Sequence, residues 1–310
     1  MNKIQKLFTL GPTEIFRRLL FTKGFTFFER FGIHTLPVHF YSPVPDTREL
    51  RKRQDKWYRE EDFSGIDFNI VDQKELLRSL KTYNDEFAQL PPFSEISAKG
   101  LGEGYGEVEA SILYAIIRHF KSTQIKEVGS GVSSLYTLKA LDKNKETDGK
   151  SGKLTCIEPY PKEALKSLTR ESKVELKVSI VQDVEPGFFS DLNEGDILFI
   201  DSSHVLKLDS DVYHLYLRVL PLLKKGVIIH IHDIHFPFLT PEPERWIFKD
   251  HQFWTEAALL QAFLAFNKSY KILLCSSYLH HKYPEIMQEA FSVYDPKYHS
   301  PSSIWLRKVE

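Results

Sequence analysis

Lys126-Glu127-Val128-Gly129-Ser130-Gly131-Val132-Ser133-Ser134 is the stretch that decides how the rest of the chain is read. A short apolar run, 125–128, meets a glycine pair and then a helical pattern over 135–141. Glycine at such a junction lets the backbone turn sharply and pass close to a ligand, where a Cβ would collide. The helix opening near Ser133 then points free N–H groups at whatever is bound. Taken alone, a Gly-x-Gly pair is also an ordinary tight turn. Its meaning depends on what surrounds it.

Before the glycines, Val108, Ile112, Ile116 and Phe120 recur at helical spacing and predict a helix of about 14 residues. After them come apolar runs at 154–157, 178–181, 197–200 and 227–231. Helical patterns separate these at 161–170 and 212–223, with a shorter link over 186–192. A helix over 255–267 and strands over 270–279 and 303–309 complete the pattern. Strands alternating with helices imply parallel strands joined by right-handed crossovers. The fold class is therefore an open α/β sheet, in which ligands bind at the carboxyl ends of the strands.

Chemistry-bearing residues stand at those ends. Glu158 follows the second run, about 30 residues past the glycines, where a carboxylate accepts two hydrogen bonds from a ribose diol. It also suits a cap for the helix that follows. Gln182 and Asp183 follow the third run and suit an adenine amino group. Asp201 follows the fourth and Asp233 the fifth.

Composition sets the outer bounds. With 42% hydrophobic and 27% charged residues, the 310-residue chain reads as globular and not as disordered. The net charge of −1 hides a split: residues 1–60 hold 12 Lys/Arg against 6 Asp/Glu, so +6, leaving −7 for the remainder. At this size the split is no argument for nucleic acid. Cys156 and Cys275 each sit in an apolar run, which predicts buried free thiols, a reducing compartment and a cytoplasmic protein. No segment approaches the roughly 20 apolar residues of a membrane span, and no secretory signal is present.

Residues 1–104 are expected to form a basic, partly helical extension, and 105–310 the ligand-binding domain. Within the extension, Pro37, Pro43 and Pro45 fix an extended connection, and a helix is predicted over 73–87. Residues 15–31 are rich in Phe and Leu but interrupted by Arg17, Arg18, Lys23 and Arg30. They suit either a helix lying on an anionic membrane surface or a cap packed on the main domain or a second subunit. The cap is the expectation, because Gly24 and Gly32 break the helical period.

Glu127-x-Gly129-x-Gly131, an acid after the next strand, Asp183 after the third and Asp201 after the fourth together resemble a class I S-adenosylmethionine-dependent methyltransferase. The resemblance is closer still to a largely uncharacterised bacterial branch. It is carried by Phe199-Ile200-Asp201-Ser202-Ser203-His204, His230-Ile231-His232-Asp233-Ile234, Trp254 through Leu264, and Ser303-Ile304-Trp305-Leu306. It covers about residues 105–310, and Tyr41-Ser42-Pro43-Val44-Pro45-Asp46 looks like that branch's N-terminal extension. One departure is Trp254-Thr255-Glu256-Ala257, where the branch has Trp-Asn-Glu-Gln. The resemblance implies a Rossmann-like sheet of seven strands with the last antiparallel. It implies that S-adenosyl-L-methionine is the cofactor, with Glu127, Gly129 and Gly131 at its methionine end, Glu158 at the ribose and Asp183 at the adenine. Ser130, Ser133 and Asp201 complete that expected set. The missing third glycine of a dinucleotide fingerprint fits a cofactor that has no pyrophosphate.

On the acceptor side, His204, His230, His232 and His235 cluster in sequence near Asp201 and Asp233. Methyl transfer needs a positioned nucleophile, deprotonated if it is a hydroxyl. The expected catalytic group is His232 as base beside Asp233, with His204 nearby. Mg²⁺ held by Asp201 and Asp233 is the alternative; Ile234 stands where a further oxygen ligand is expected, so no metal is assigned. The expected reaction is O-methylation of a small-molecule or sugar hydroxyl. A metal-dependent hydrolase using the His/Asp cluster and a non-catalytic nucleotide-binding module are the competing classes. Oligomeric state is open.

Overall fold

The computed structural model describes residues 11–101, 104–170 and 174–310. Seven strands form one sheet: β1 (Gln124–Val128), β2 (Lys153–Ile157), β3 (Val174–Lys177), β4 (Ile197–Ile200), β5 (Ile228–His232), β6 (Tyr270–Cys275) and β7 (Ser303–Lys308). Their order is β3-β2-β1-β4-β5-β7-β6. The first five run parallel, and β7 is inserted antiparallel between β5 and β6. This is the expected fold class.

Period-two alternation sends the two sides of each strand into separate cores. Ile125, Leu154, Ile197, Phe199, Ile228 and Trp305 pack on one face with helices Glu107–Phe120 and Val132–Asp148. Val128, Leu198, Ile200, Ile229, Ile231 and Leu306 pack on the other, against the segment from Asp211 to Leu222 and helix Glu256–Leu264. The predicted 14-residue helix is Glu107–Phe120. Cys156 and Cys275 are buried and unpaired.

Two strands differ from expectation. The third, expected at 178–181, lies at Val174–Lys177. Apolar alternation continues through Val178 and Ile180, but β2 ends at Ile157 opposite Lys177, so the ladder has no partner beyond it. Val178 and Ile180 are left exposed. The strand expected over 270–279 stops at Cys275, and helix Ser276–Lys282 begins there. Pairing to β7 ends at Cys275 opposite Ile304, and the Ser276 hydroxyl is drawn to Glu109 at 2.8 Å.

The chain forms two compact units, residues 1–57 with 244–253, and 58–243 with 254–310. The expected boundary at 104/105 therefore falls inside the larger unit. Helix Ile70–Leu80 buries Leu77 and Leu80, and the Gln73 amide oxygen accepts the Cys275 N–H at 2.9 Å. Arg118 on helix Glu107–Phe120 donates to Glu86 at 2.7 Å and to Asp148 at 3.1 Å. Phe68, Leu77, Leu80, Phe87, Ile96 and Leu101 thus share the sheet's two cores.

In the smaller unit, helix Pro12–Leu19 runs on through a π-helical turn, Leu20–Gly24, into helix Phe25–Glu29. Gly24 does not break it; the wider turn absorbs the residue. None of the three segments has a buried residue. Arg51 pairs with Glu244 at 2.8 Å and lies 4.0 Å over the Phe248 ring, which ties 244–253 to this unit. Residues 1–10 of the expected extension lie outside the described residues.

Candidate active site

Strand order reverses between β1 and β4, so their carboxyl ends flank the crevice where open α/β sheets bind ligands. Gly129 leaves β1 at φ +79°. A Cβ there would lie 2.1 Å from the Asp201 carbonyl oxygen. The first glycine is thus demanded by the neighbouring strand, whose Asp201 N–H donates to the Val128 carbonyl at 2.9 Å. Gly131 has extended backbone, and its Cβ would meet only the Leu101 carbonyl, at 3.2 Å.

The next residues anchor the loop. Ser130 N–H donates to Glu158 Oε2 at 3.2 Å, while Tyr160 N–H donates to Oε1 at 2.8 Å. Each Glu158 oxygen keeps a second lone pair. Below the loop, the buried Glu127 carboxylate accepts the hydroxyls of Ser133 and, at 2.8 Å, Ser134. Burial pushes its pKa up to about 7 against the pull of those hydroxyls, and the Asp201 charge adds to the rise.

Two cavities open over this frame. One, of about 430 Å³, is lined by Gly129, Glu158, Tyr160, Gln182, Asp201 and Asp211, among others. The second, of about 160 Å³, shares Gly129, Glu158 and Asp201 and adds Ser130, Gly131 and Ser133 under Leu101, Gly104 and Tyr105. Six of the eight expected cofactor residues therefore line these cavities. Glu127 does not; it is buried beneath, holding Ser133 and Ser134. Asp183 does not either: it is the exposed end of the turn Val181–Asp183, because β3 ends at Lys177, and Gln182 takes the lining position instead. A larger cavity of about 500 Å³ lies along β6, beside Lys268 and Lys271, away from the strand ends that carry the acids.

Beyond β4 and β5 the acids gather around one histidine. His204 Nδ1 donates to Glu256 Oε2 at 2.9 Å, and Nε2 lies 3.5 Å from both Asp201 Oδ1 and Asp233 Oδ2. Burial pulls its pKa down, but hydrogen bonds to Asp201 and Glu256 and the charges of Glu256 and Asp233 outweigh this and hold it at about 10. His204 is therefore an imidazolium at neutral pH. Asp233 leaves β5 at φ +53° and accepts the Ser302 hydroxyl at 3.0 Å. Burial raises its pKa, yet the charges of His232, His204 and His235 bring it below the usual range. The side chains of Asp201 and Asp233 are 36% and 24% exposed.

His232 and His230 are buried more deeply than His204. His232 is 2% exposed, with its ring 4.9 Å from that of Tyr105 and Nε2 3.3 Å from the Gly104 carbonyl. Burial lowers its pKa, but the charges of Asp233, Asp201 and Glu109 raise it overall. His230 stacks on Phe199 with the Trp305 ring tilted beside it at 4.4 Å, and burial lowers its pKa and holds it neutral. His235 is pushed down to about 4 by burial.

Sequence reasoning missed several lining groups. Leu101, Gly104 and Tyr105 belong to a stretch with glycines at 100, 102, 104 and 106, a spacing that could have marked a close backbone approach. Nothing local marked Glu256 as the partner of His204, since 52 residues separate them. At the departure noted above, Thr255 Oγ1 accepts the Leu206 N–H at 2.8 Å, so the changed residue serves this chain's own loop.

A family model described as a methyltransferase domain matches residues 127–234. An uncharacterised protein of Archaeoglobus fulgidus is 34% identical over 169 residues, which span 52% of this chain and 75% of that protein. Among solved structures, the plantazolicin methyltransferase BamL, bound to a triazolic desmethylPZN analog and SAH, matches at 13% identity and TM-score 0.40, covering 79% of this chain and all of its own. The structure named cmcI-N160 SAH matches at 13% identity and TM-score 0.41, covering 73% of this chain and 91% of that one. At that distance neither bears on this chain's chemistry. The family match and the archaeal relative rest on sequence, and the seven-stranded sheet is the one expected of the class I fold: the chain belongs to the methyltransferase-domain family.

Proposed function

We propose that the protein is an S-adenosylmethionine-dependent methyltransferase acting on a hydroxyl of a small molecule or sugar. The observation that carries this reading is that Gly129, Glu158 and Asp201 line both cavities at the point where strand order reverses. Bound there, the cofactor supplies an electrophilic methyl group on its sulfonium. Glu158 holds the ribose diol with the lone pairs left after Ser130 and Tyr160, and the Gly129–Ser133 loop holds the methionine end. The Glu127 carboxyl, poised near pH 7, favours a cationic group above it when ionised. The cofactor part is assigned to 105–310, with one wall lent by Leu101 and Gly104. The unpaired thiols suit a reducing compartment, which is why the cytoplasm is proposed. No described helix is long and apolar enough to cross a membrane.

For the acceptor proton we assign Asp233. His232, the residue first expected, is enclosed by Tyr105 and engaged by Gly104, while Asp233 stands open beside Asp201. His204 and His232 keep Asp233 ionised, so its carboxylate can accept the acceptor's hydrogen bond and takes the proton only as methyl transfer makes the acceptor oxygen acidic. A second reading is favoured by one observation: ligand atoms of Asp201, His204 and Asp233 lie within 4.8 Å of one another. The Glu256 carboxylate orients His204 through Nδ1, as a carboxylate behind a metal-bound imidazole fixes its ring. Two carboxylates and an imidazole suit Mn²⁺ or Zn²⁺ better than Mg²⁺, which prefers oxygen throughout. Such an ion would polarise an acceptor oxygen and take the place of the His204 proton.

Glu158→Ala tests the cofactor assignment. Hydrogen bonds to a charged group are worth about 1.5–3 kcal/mol, so S-adenosylhomocysteine affinity should fall at least about tenfold by calorimetry. Unchanged affinity in a folded variant would return Glu158 to loop anchoring alone.

A further inference from the structure

We propose that residues 16–44 form a surface that docks on an anionic lipid bilayer. Among the described residues, nineteen large hydrophobic side chains are exposed, and nine of them lie in this stretch. It makes up only 29 of the 295 described residues. Apolar exposure gathered to that degree marks an interaction surface, whereas scattered exposure needs no explanation.

The local geometry suits a membrane interface. On helix Pro12–Leu19 and the first residue beyond it, Ile15, Phe16, Leu19 and Leu20 fall within an arc of about 140° at 100° per residue. Glu14, Arg17 and Arg18 fall outside that arc. The Thr35 hydroxyl donates to the Leu20 carbonyl at 3.0 Å and brings the chain back to the helix. A turn then closes through Ser42 N–H to the His39 carbonyl at 2.8 Å. Phe40 and Tyr41 sit at its tip, 82% and 84% exposed, with ring centroids 4.3 Å apart. Aromatic side chains at a tip, with arginines flanking an apolar arc, are the pattern of interfacial anchors.

Charge selects the occupant. Residues 1–60 carry twelve cations against six acids. Within 16–44 the only acid is Glu29, which lies 3.2 Å from His34; Arg17 and Arg18, each 3.4 Å from the single carboxylate of Glu14, together with Lys23 and Arg30 leave a net positive charge. Two copies of this surface would set like charges against each other, whereas an anionic bilayer pairs with both the charge and the rings.

The test is co-sedimentation of the full chain with phosphatidylcholine vesicles and with vesicles in which a third of the lipid is phosphatidylglycerol. Binding is expected to the anionic vesicles, to weaken as salt rises, and to be slight on phosphatidylcholine alone. A juxtamembrane cation is worth about 1 kcal/mol, or roughly fivefold, so Arg17→Ala with Arg18→Ala should weaken binding about 25-fold. Phe40→Ser with Tyr41→Ser should remove most of it, with an unchanged melting temperature showing that both variants are folded. Absence of binding to the anionic vesicles, or equal binding to both kinds, would overturn the proposal. So would a dimer in analytical ultracentrifugation that the Phe40/Tyr41 variant dissolves.

Discussion

Gly129→Ala should lower the melting temperature by about 10 °C, whereas Gly131→Ala should change it little. At φ +79° any Cβ is strained by about 1–2 kcal/mol. The larger cost is steric. The added carbon would sit 2.1 Å from the Asp201 carbonyl oxygen, and both partners are backbone. Relief requires the ends of β1 and β4 to part and the Asp201 N–H to leave Val128. Together these amount to roughly 3–5 kcal/mol, among the largest single-site effects. At about 2–4 °C per kcal/mol for a domain of this size, the shift follows. Gly131 has no such strain, and a 3.2 Å approach to Leu101 needs a shift of only a few tenths of an ångström. Calorimetric melting of both variants checks the pair. Equal shifts would show that the first glycine serves a ligand rather than the sheet.

Asp233→Asn should cut turnover by about 10²–10⁴-fold, the usual span for losing a positioned proton acceptor. Cofactor affinity should be nearly unchanged, because Asp233 lines neither of the cavities that Glu158 shares. The pH profile carries the sign. Asp233 is held below the usual carboxylate range and His204 stays charged up to about 10. The charge of this pair is therefore constant across neutrality, so neither group should impose a step on kcat between about pH 5 and pH 9. Were His232 the base, kcat would fall as pH drops through the histidine range and His232→Gln would be the more damaging change. Activity should also survive EDTA, since the His204 proton already supplies positive charge between Asp201 and Asp233. An enzyme silenced by EDTA and restored by Mn²⁺ or Mg²⁺ would show that the three residues hold an ion.

What was legible in the sequence is what depends on neighbours along the chain. The glycine turn, four of the five parallel strands and the helix Glu107–Phe120 each carry their signal within a few residues. β3 was displaced because apolar alternation runs on past Lys177; only the end of β2, a partner distant in sequence, stops the ladder there. Asp183 falls outside the cavity lining for the same reason. The membership of residues 58–101 in the sheet unit rests on long-range pairs, Gln73 with Cys275 and Arg118 with Glu86, which no local pattern announces. The acid cluster was half legible. Asp201 and Asp233 follow from strand ends, but the charge state of His204 depends on Glu256, brought in from a later helix. His232 looked open in sequence because nothing there shows Tyr105 and Gly104 folding over it.

Calorimetric titration of the purified chain with S-adenosylhomocysteine and, separately, with NAD tests the central claim most directly. The glycine loop, the Glu158 carboxylate and the cavities they share predict saturable binding of the sulfur ligand and no heat with NAD. Saturable binding of NAD with no response to S-adenosylhomocysteine would contradict the account.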